Sequence, residues 1–410
     1  MVEFKIHSSL KERRAILRDR FTREFGGTGT DRLFALSIPL RLCPLGAHSD
    51  HQGGVVTGFA IDRSIDLVGT VTDKACAEVA SVVFNQRAAV HFEHVGVRIA
   101  GDWANYLRGA VIQLHNSKGP LAKGVRGVIN GTMPIGGLSS SAAVSIAYLK
   151  ALAYAQGMQL SNQELVSLVL QIENGYLGLH NGVLDQSVIL FSQAEALTVI
   201  DCRSNNVQSV ALGTTDSAWE FLVVYSGLSR QLTATPFNQR VAECQAAARE
   251  LLQLSGACVP EHPILGDVPN DVYERLSPRL SETLRKRARH FFEERERVGE
   301  GVRAWSCGDI KRFGELVTQS GYSSIVNYES GSPALIALYE ILAEQSGVYG
   351  ARFCGGGFQG CCLALIDPAK RESIAAALHE GYAARHPELV NDYSIHRCLT
   401  SSVGYIEELQ

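Results

Sequence analysis

The stretch PIGGLSSSAA (134–143) decides how this chain is read. A glycine pair and three serines run into AVSIAYLKALAYAQG (143–157), a helical pattern that stops at glycine. Backbone N–H groups at such a helix start face outward, and the helix dipole favours an anion there. Glycines let the backbone come close to that anion, and hydroxyls bond phosphate oxygens or Mg²⁺. The segment therefore reads as a phosphate cradle, with a plain Gly/Ser turn and N-cap as the bland alternative. No GxxxxGK[ST] occurs in the chain, so the cradle is not a P-loop, and the GxGxxGxV and HRD motifs of protein kinases are missing too.

Three further segments carry chemistry. PLRLCPLGAHSDHQGG (39–54) packs Arg41, His48, Asp50 and His51 beside Gly46 and Gly53-Gly54. Polar groups this dense in a glycine-containing loop suit a polyhydroxyl ligand: Asp50 can accept hydroxyl hydrogen bonds, and a guanidinium can stabilise a transferring phosphoryl group. Zinc on His48 and His51 lacks a clear third ligand. IENGYLGLHNGVLDQS (172–187) sets Glu173 and Asp185 around a glycine-rich loop, where one carboxylate could take a hydroxyl proton and the other hold Mg²⁺. ARFCGGGFQGCC (351–362) is a glycine cluster that a tight turn or bulge explains equally well.

Composition narrows the class. The chain has 410 residues, 46% of them hydrophobic and 20% charged, which suits a large packed core in two domains or one two-lobed unit. The net charge of −4 lacks the basic surplus of a general nucleic-acid binder. Glycine, at 39, exceeds the roughly 29 expected at ~7%, while proline stays low at 12. That pattern fits close backbone approach better than disorder. Ten scattered cysteines with no CxxC pair fit reduced thiols in a cytoplasmic protein. The N-terminus has no signal-peptide core, and the charge-free stretch 127–149 carries Asn130, Thr132, Pro134, four glycines and four serines, so no membrane span is expected.

The coarse element pattern is mixed. Capping boxes at Ser9/Glu12 and Ser161/Glu164 start helices, the first ending at Gly26-Gly27 and the second covering LVSLVLQIENGY (165–176). LFALSIPL (33–40), VVTGFAI (55–61), SIDLVGTVT (64–72) and WEFLVVYS (219–226) read as strands. SVILFSQ (187–193) and ALTVIDC (196–202) read as a hairpin. Helices are expected over 239–254 and 281–298. The mixed-sign run from Arg285 to Arg297 reads as a solvated helix face laced with ion pairs.

Taken together, the segments at 39–54, 134–143 and 350–361 resemble the three ordered motifs of the GHMP kinase superfamily, in its galactokinase-like branch. The likeness continues through GVLDQ (182–186), RQLTATPFNQRVAEC (230–244), RKRARHFF (285–292) and CLTSSVG (398–404). It implies an α+β, two-lobed fold, with lobes expected at 1–205 and 206–410 and the active site between them. It also implies a role for each matched residue. Arg41 matches the arginine that stabilises the phosphoryl group, and Asp185 the base towards an anomeric hydroxyl. Ser141 and Glu173 match Mg²⁺ ligands. Gly136, Gly137, Leu138, Ser139, Ser140 and Ser141 match the ATP phosphate loop. His48, Ser49, Asp50 and Gly182 fall on the sugar side.

The departures matter as much. Galactokinases carry a glutamate where this chain has Ala47, and that glutamate receives the hydroxyl on carbon 6. A methyl group cannot accept it, and its presence removes a charge that would repel a substrate carboxylate. In this form the loop resembles that of the galacturonokinases. ATP- and Mg²⁺-dependent phosphorylation of D-galacturonate is therefore expected, with galactokinase activity as the alternative and a non-catalytic sugar sensor as a remote one. Phe237 replaces a common tyrosine, a loss of about 0.5–1.5 kcal/mol in hydrogen bonding, and Cys43 replaces an asparagine. Arg230, Arg240 and His51 are the candidates to meet a substrate carboxylate. Small-molecule substrates are the only partners expected, and the sequence sets no oligomeric state.

Overall fold

The computed structural model describes residues 8–26, 32–134, 136–228 and 236–409. The chain runs α1 (Leu10–Phe25), β1 (Leu33–Leu42), β2 (Val55–Thr72), β3 (Cys76–Ser81), β4 (Gln86–His91), α2 (Asn105–Lys118), β5 (Gly124–Gly131), α3 (Ser140–Ala155), α4 (Asn162–Leu170), α5 (Leu184–Phe191), β6 (Ala196–Asp201) and β7 (Asn206–Ala211). It continues β8 (Glu220–Tyr225), α6 (Phe237–Ser255), α7 (Asn270–Leu276), α8 (Glu282–Ser306), α9 (Ile310–Val326), α10 (Pro333–Ala343), β9 (Val348–Phe353), β10 (Cys361–Ile366), α11 (Arg371–Arg385), β11 (Ser394–Cys398) and β12 (Tyr405–Leu409). Both expected capping boxes form, at Ser9/Glu12 and Ser161/Glu164. Gly26 ends α1 in the left-handed conformation, while Gly27 lies outside the described residues.

Two sheets organise these elements, so the α+β expectation holds. The first has eight strands, ordered β12-β1-β2-β5-β3-β4, with β6 on β2 and β7 on β6. The two strands expected at 55–61 and 64–72 are one continuous β2, which pairs with β1, β5 and β6 along its length. The second sheet has four strands, β11-β8-β10-β9. In β8, Phe221 and Val223 face one core and Leu222 and Val224 the other, so the strand is apolar throughout. The expected division at 205/206 separates β6 from its hydrogen-bonded partner β7, and β12 returns from the C-terminus to the first sheet. Buried Trp305 joins the lobes, with ring centroids 5.0 Å from Phe59 and 5.2 Å from Phe313, and its Nε1 donates to Val210 O at 3.0 Å.

Two readings are corrected. SVILFSQ is not a strand: residues 184–191 form α5, and β6 pairs instead with β7. Nearly every α5 side chain is buried, so the apolar run carried no period to separate helix from strand. LVSLVLQIENGY is not one regular α-helix either, because Gln171–Tyr176 widens into a π-turn. Such bulges occur often at functional sites.

Candidate active site

Arg41 lies at the end of β1, almost fully buried, and ties three segments together. Its Nη2 and Nε lie 2.7 and 2.8 Å from Asp185 Oδ1, and its Nη1 donates to Gly137 O at 2.9 Å. Its backbone N–H donates to Leu138 O at 3.3 Å. Burial works against the guanidinium charge, but Asp185 together with Cys43 and Cys354 outweighs it and the net shift is upward. Asp185 occupies the first turn of α5, where the helix dipole favours a carboxylate.

Glu173 sits in the π-turn and is fully buried. Asn181 Nδ2 donates to its Oε2 at 2.9 Å, whereas Oε1 is buried without a hydrogen-bond partner among the described residues. Burial and the neighbouring Asp185 charge push its carboxyl up to about 7, against the milder pull of Asn181, Ser141 and Arg41. An orphaned buried carboxylate oxygen near a serine hydroxyl and a second carboxylate is a hard-oxygen donor set, the kind Mg²⁺ takes.

The glycine–serine loop is shaped by what lies behind it. A Cβ on Gly136 would stand 2.8 Å from Gly360 Cα, and one on Gly360 would stand 2.5 Å from Gly136 C. A Cβ on Gly355 would stand 3.0 Å from Gly137 Cα, and one on Gly137 would stand 3.0 Å from Cys354 O. The cluster at 351–362 is therefore a hairpin loop between β9 and β10 whose backbone props the 134–143 loop. Ser139 caps α3 in the left-handed region (φ 59°), and its Oγ is buried with no partner among the described residues. Ser140 opens α3, and Ser141 follows in its first turn.

The 43–54 loop joins β1 to β2. Ala47 is buried in an apolar cluster with Cys43, Val56, Leu184, Val188 and Ile200. Cys43 Sγ contacts Leu45 O at 3.4 Å, a bond within the loop. His48 adopts φ 64° and stacks on Tyr328 at 4.0 Å. Burial, reinforced by His290 and Arg352, pushes its imidazole well below the usual range. Ser49 spends its hydroxyl on Gly46 O at 2.6 Å. Burial and then the Asp185 charge push the Asp50 carboxyl up to about 6. Gly182 lies against Asp50, leaving 2.6 Å to Asp50 Oδ2 where a Cβ would go. Phe237, at the start of α6, meets His51 edge-on with centroids 5.9 Å apart.

The expected site residues thus converge from β1, α3, the π-turn, α5 and α6. The carboxylate-partner candidates fare less well. Arg230 lies outside the described residues, and Arg240 already pairs with Glu243 at 2.6 Å. His51 is neutral: burial takes its imidazole down to about 3. Gln52 uses Oε1 to accept from Leu265 N, so its Nε2 donates to His51 Nδ1. His51 Nε2–H then donates to Tyr328 OH at 3.2 Å.

Several residues were missed. The run 285–297 is not wholly a solvated face, because Arg287, His290 and Glu294 are buried. Their spacing of three and four follows the apolar stripe of Ala288, Phe291 and Val298, which was the available signal. Tyr328 and Ser330, beside His48, carried no signal.

Residues 105–193 match the GHMP kinases N terminal domain, and residues 300–384 match the GHMP kinases C terminal domain. A galacturonokinase of Arabidopsis thaliana is 41% identical over 388 residues, 90% of this chain and 91% of the relative. A galactokinase of Roseiflexus sp. is 30% identical, covering 94% of this chain and 95% of its own. The crystal structure of Lactococcus lactis galactokinase with galactose superposes with a TM-score of 0.86 at 26% identity, covering 96% of this chain and 99% of that one. Methanococcus jannaschii mevalonate kinase, at 17% identity and TM-score 0.63 over 92% of this chain and all of its own, shares the fold. With two lobes and both domain matches in order, the chain belongs to the GHMP kinases, in their galactokinase-like branch.

Proposed function

We propose that this protein transfers the γ-phosphoryl group of ATP to the anomeric hydroxyl of D-galacturonate, giving galacturonate 1-phosphate and ADP. The observation that carries the substrate is Ala47, a methyl group where galactokinases carry a glutamate. The Arabidopsis galacturonokinase, more similar to this chain than the galactokinases above, supports it.

In this reading ATP lies along Gly136–Ser141, with its phosphates on the α3 N-terminus. The sugar lies against His48, Asp50 and Gly182, near Phe237. Ser49 shapes the loop through Gly46. Asp185 takes the hydroxyl proton: both Arg41 nitrogens share Oδ1, and we assign the proton to Oδ2. The anomeric oxygen forms the new P–O bond as the bond to ADP breaks. Arg41 bridges the base to the phosphate loop and offsets charge on the moving group. Ser141 and Glu173 would hold Mg²⁺, which when bound neutralises phosphate charge. Closure of the lobes would exclude water from the transfer.

The test offers purified protein and Mg-ATP with galacturonate, galactose, glucuronate or glucose, and follows ADP release. The highest kcat/KM is expected for galacturonate. A higher value for galactose overturns the substrate.

A further inference from the structure

Five consecutive residues at the start of the 43–54 loop are each gripped by the other lobe. Arg352, on β9, donates to Pro44 O at 3.4 Å. Leu45 packs where α8 has Gly301, and a Cβ there would stand 2.1 Å from Leu45 Cδ1. Glu294 Oε1 accepts the Gly46 N–H at 2.7 Å. His290 Nε2 lies 2.9 Å from Ala47 O; a carbonyl only accepts, so Nε2 carries the proton. His48 stacks on Tyr328 and lies 3.4 Å from Ser330 Oγ.

Two of these grips are hydrogen bonds from side chains on one helix face. His290 and Glu294 are one turn apart on α8, and both are buried. Each is itself fixed. Ser323 Oγ lies 3.0 Å from His290 Nδ1, the acceptor nitrogen of this tautomer. Glu294 also takes Arg297 Nε at 2.7 Å and the Ser320 hydroxyl, with Arg352 Nη1 at 3.8 Å. Satisfied buried polar groups of this kind hold one conformation, because breaking any of them strands a charge or a dipole. The peptide they hold leads directly into His48 at φ 64°, a conformation uncommon for a side chain larger than glycine.

We infer that His290 and Glu294 are positioning residues for sugar binding, orienting the Gly46–His48 backbone so that His48 and Asp50 face the substrate. This rests on the proposed sugar-kinase reading. The second lobe, rather than the loop's own sequence, then sets the sugar site, while the phosphate loop is independent of this clamp.

The test compares wild type with His290→Ala, His290→Gln and Gly301→Ala, measuring KM for sugar, KM for ATP, kcat and equilibrium sugar binding. Thermal unfolding of each variant confirms that it folds. The sugar is whichever the wild type uses best, so absence of wild-type sugar turnover removes the functional reading, and only the variants judge the clamp. His290→Ala should weaken sugar binding about tenfold, the loss of one buried hydrogen bond, and leave KM for ATP within about twofold. His290→Gln places an N–H near the Nε2 position and should recover most of the loss. Gly301→Ala removes no polar group but displaces Leu45, and should also raise the sugar KM. Unchanged sugar binding in His290→Ala and Gly301→Ala, or equal changes in both substrates' KM values, would overturn the inference.

Discussion

The loops at 43–54 and 134–143 both leave the first sheet and both rest on the second lobe, but by opposite means. The 134–143 loop meets backbone with backbone, glycine against glycine, with no room for a Cβ. The 43–54 loop is held by buried side chains 243 to 308 positions away in sequence (Glu294, His290, Arg352). A loop that binds phosphate through its own N–H groups needs only to be shaped. A loop that discriminates hydroxyl patterns needs its side chains aimed, and that takes a specific buried scaffold.

The largest effect should come at Asp185, which Arg41 ties to the 134–143 loop. Asp185→Asn should lower kcat by about 10²–10⁴ while leaving nucleotide binding largely intact. Near-normal turnover in a single-turnover assay would refute the base assignment. Next comes the glycine contact. Gly136→Ala puts a Cβ against Gly360 Cα at a φ of 146°, a strain on the order of 1–3 kcal/mol. ATP affinity should fall and sugar affinity should hold. Equal losses in both, read by calorimetry, would erase the contrast between the loops.

Ala47→Glu tests the other loop. A glutamate here enters an apolar cluster and faces a substrate carboxylate, so kcat/KM for galacturonate should fall by roughly two orders of magnitude relative to galactose, as for like charges brought together. The readout is the ratio of the two sugars, which a general loss of stability leaves alone. An unchanged ratio would show that this position does not select.

The smallest effect is in pH. The Asp50 carboxyl stands at about 6 in the folded chain against an ordinary 3.8. Between those values the folded state holds a proton that the unfolded state has lost, so this group's contribution to stability declines as pH rises through about 6. The thermal midpoint of wild type should therefore fall relative to Asp50→Asn over that window, by a few degrees. Sugar affinity should rise over the same window, as the ionised Asp50 accepts hydroxyl hydrogen bonds. A flat difference between the two proteins would remove Asp50 as the titrating group.

Much of the fold was legible because it is local. Both capping boxes, the α3 run and the apolar run of β8 depend on residues close in sequence, and each formed where it was read. α5 failed for the opposite reason: burial on all sides removes the period that distinguishes helix from strand. The motif residues were legible as well, since Arg41, Asp185, Glu173 and the glycine–serine loop converge as their types suggest. The charged run in α8 misled because charge is usually solvated. Arg287, with Glu243 at 2.7 Å and Glu329 at 2.6 Å, shows how pairing lets it be buried.

Sequence by itself determined the chemistry on offer: a phosphate-shaped turn, an arginine, two carboxylates and a loop lacking one glutamate. Tertiary structure alone decided three things. Gly355 and Gly360 serve another loop's backbone, His51 is neutral between Tyr328 and Gln52, and α8 holds the loop that carries Ala47. The physical reason is common to all three. Residue type fixes what a group can donate, accept or carry, while burial and partners brought from distant positions fix whether it is free to do so.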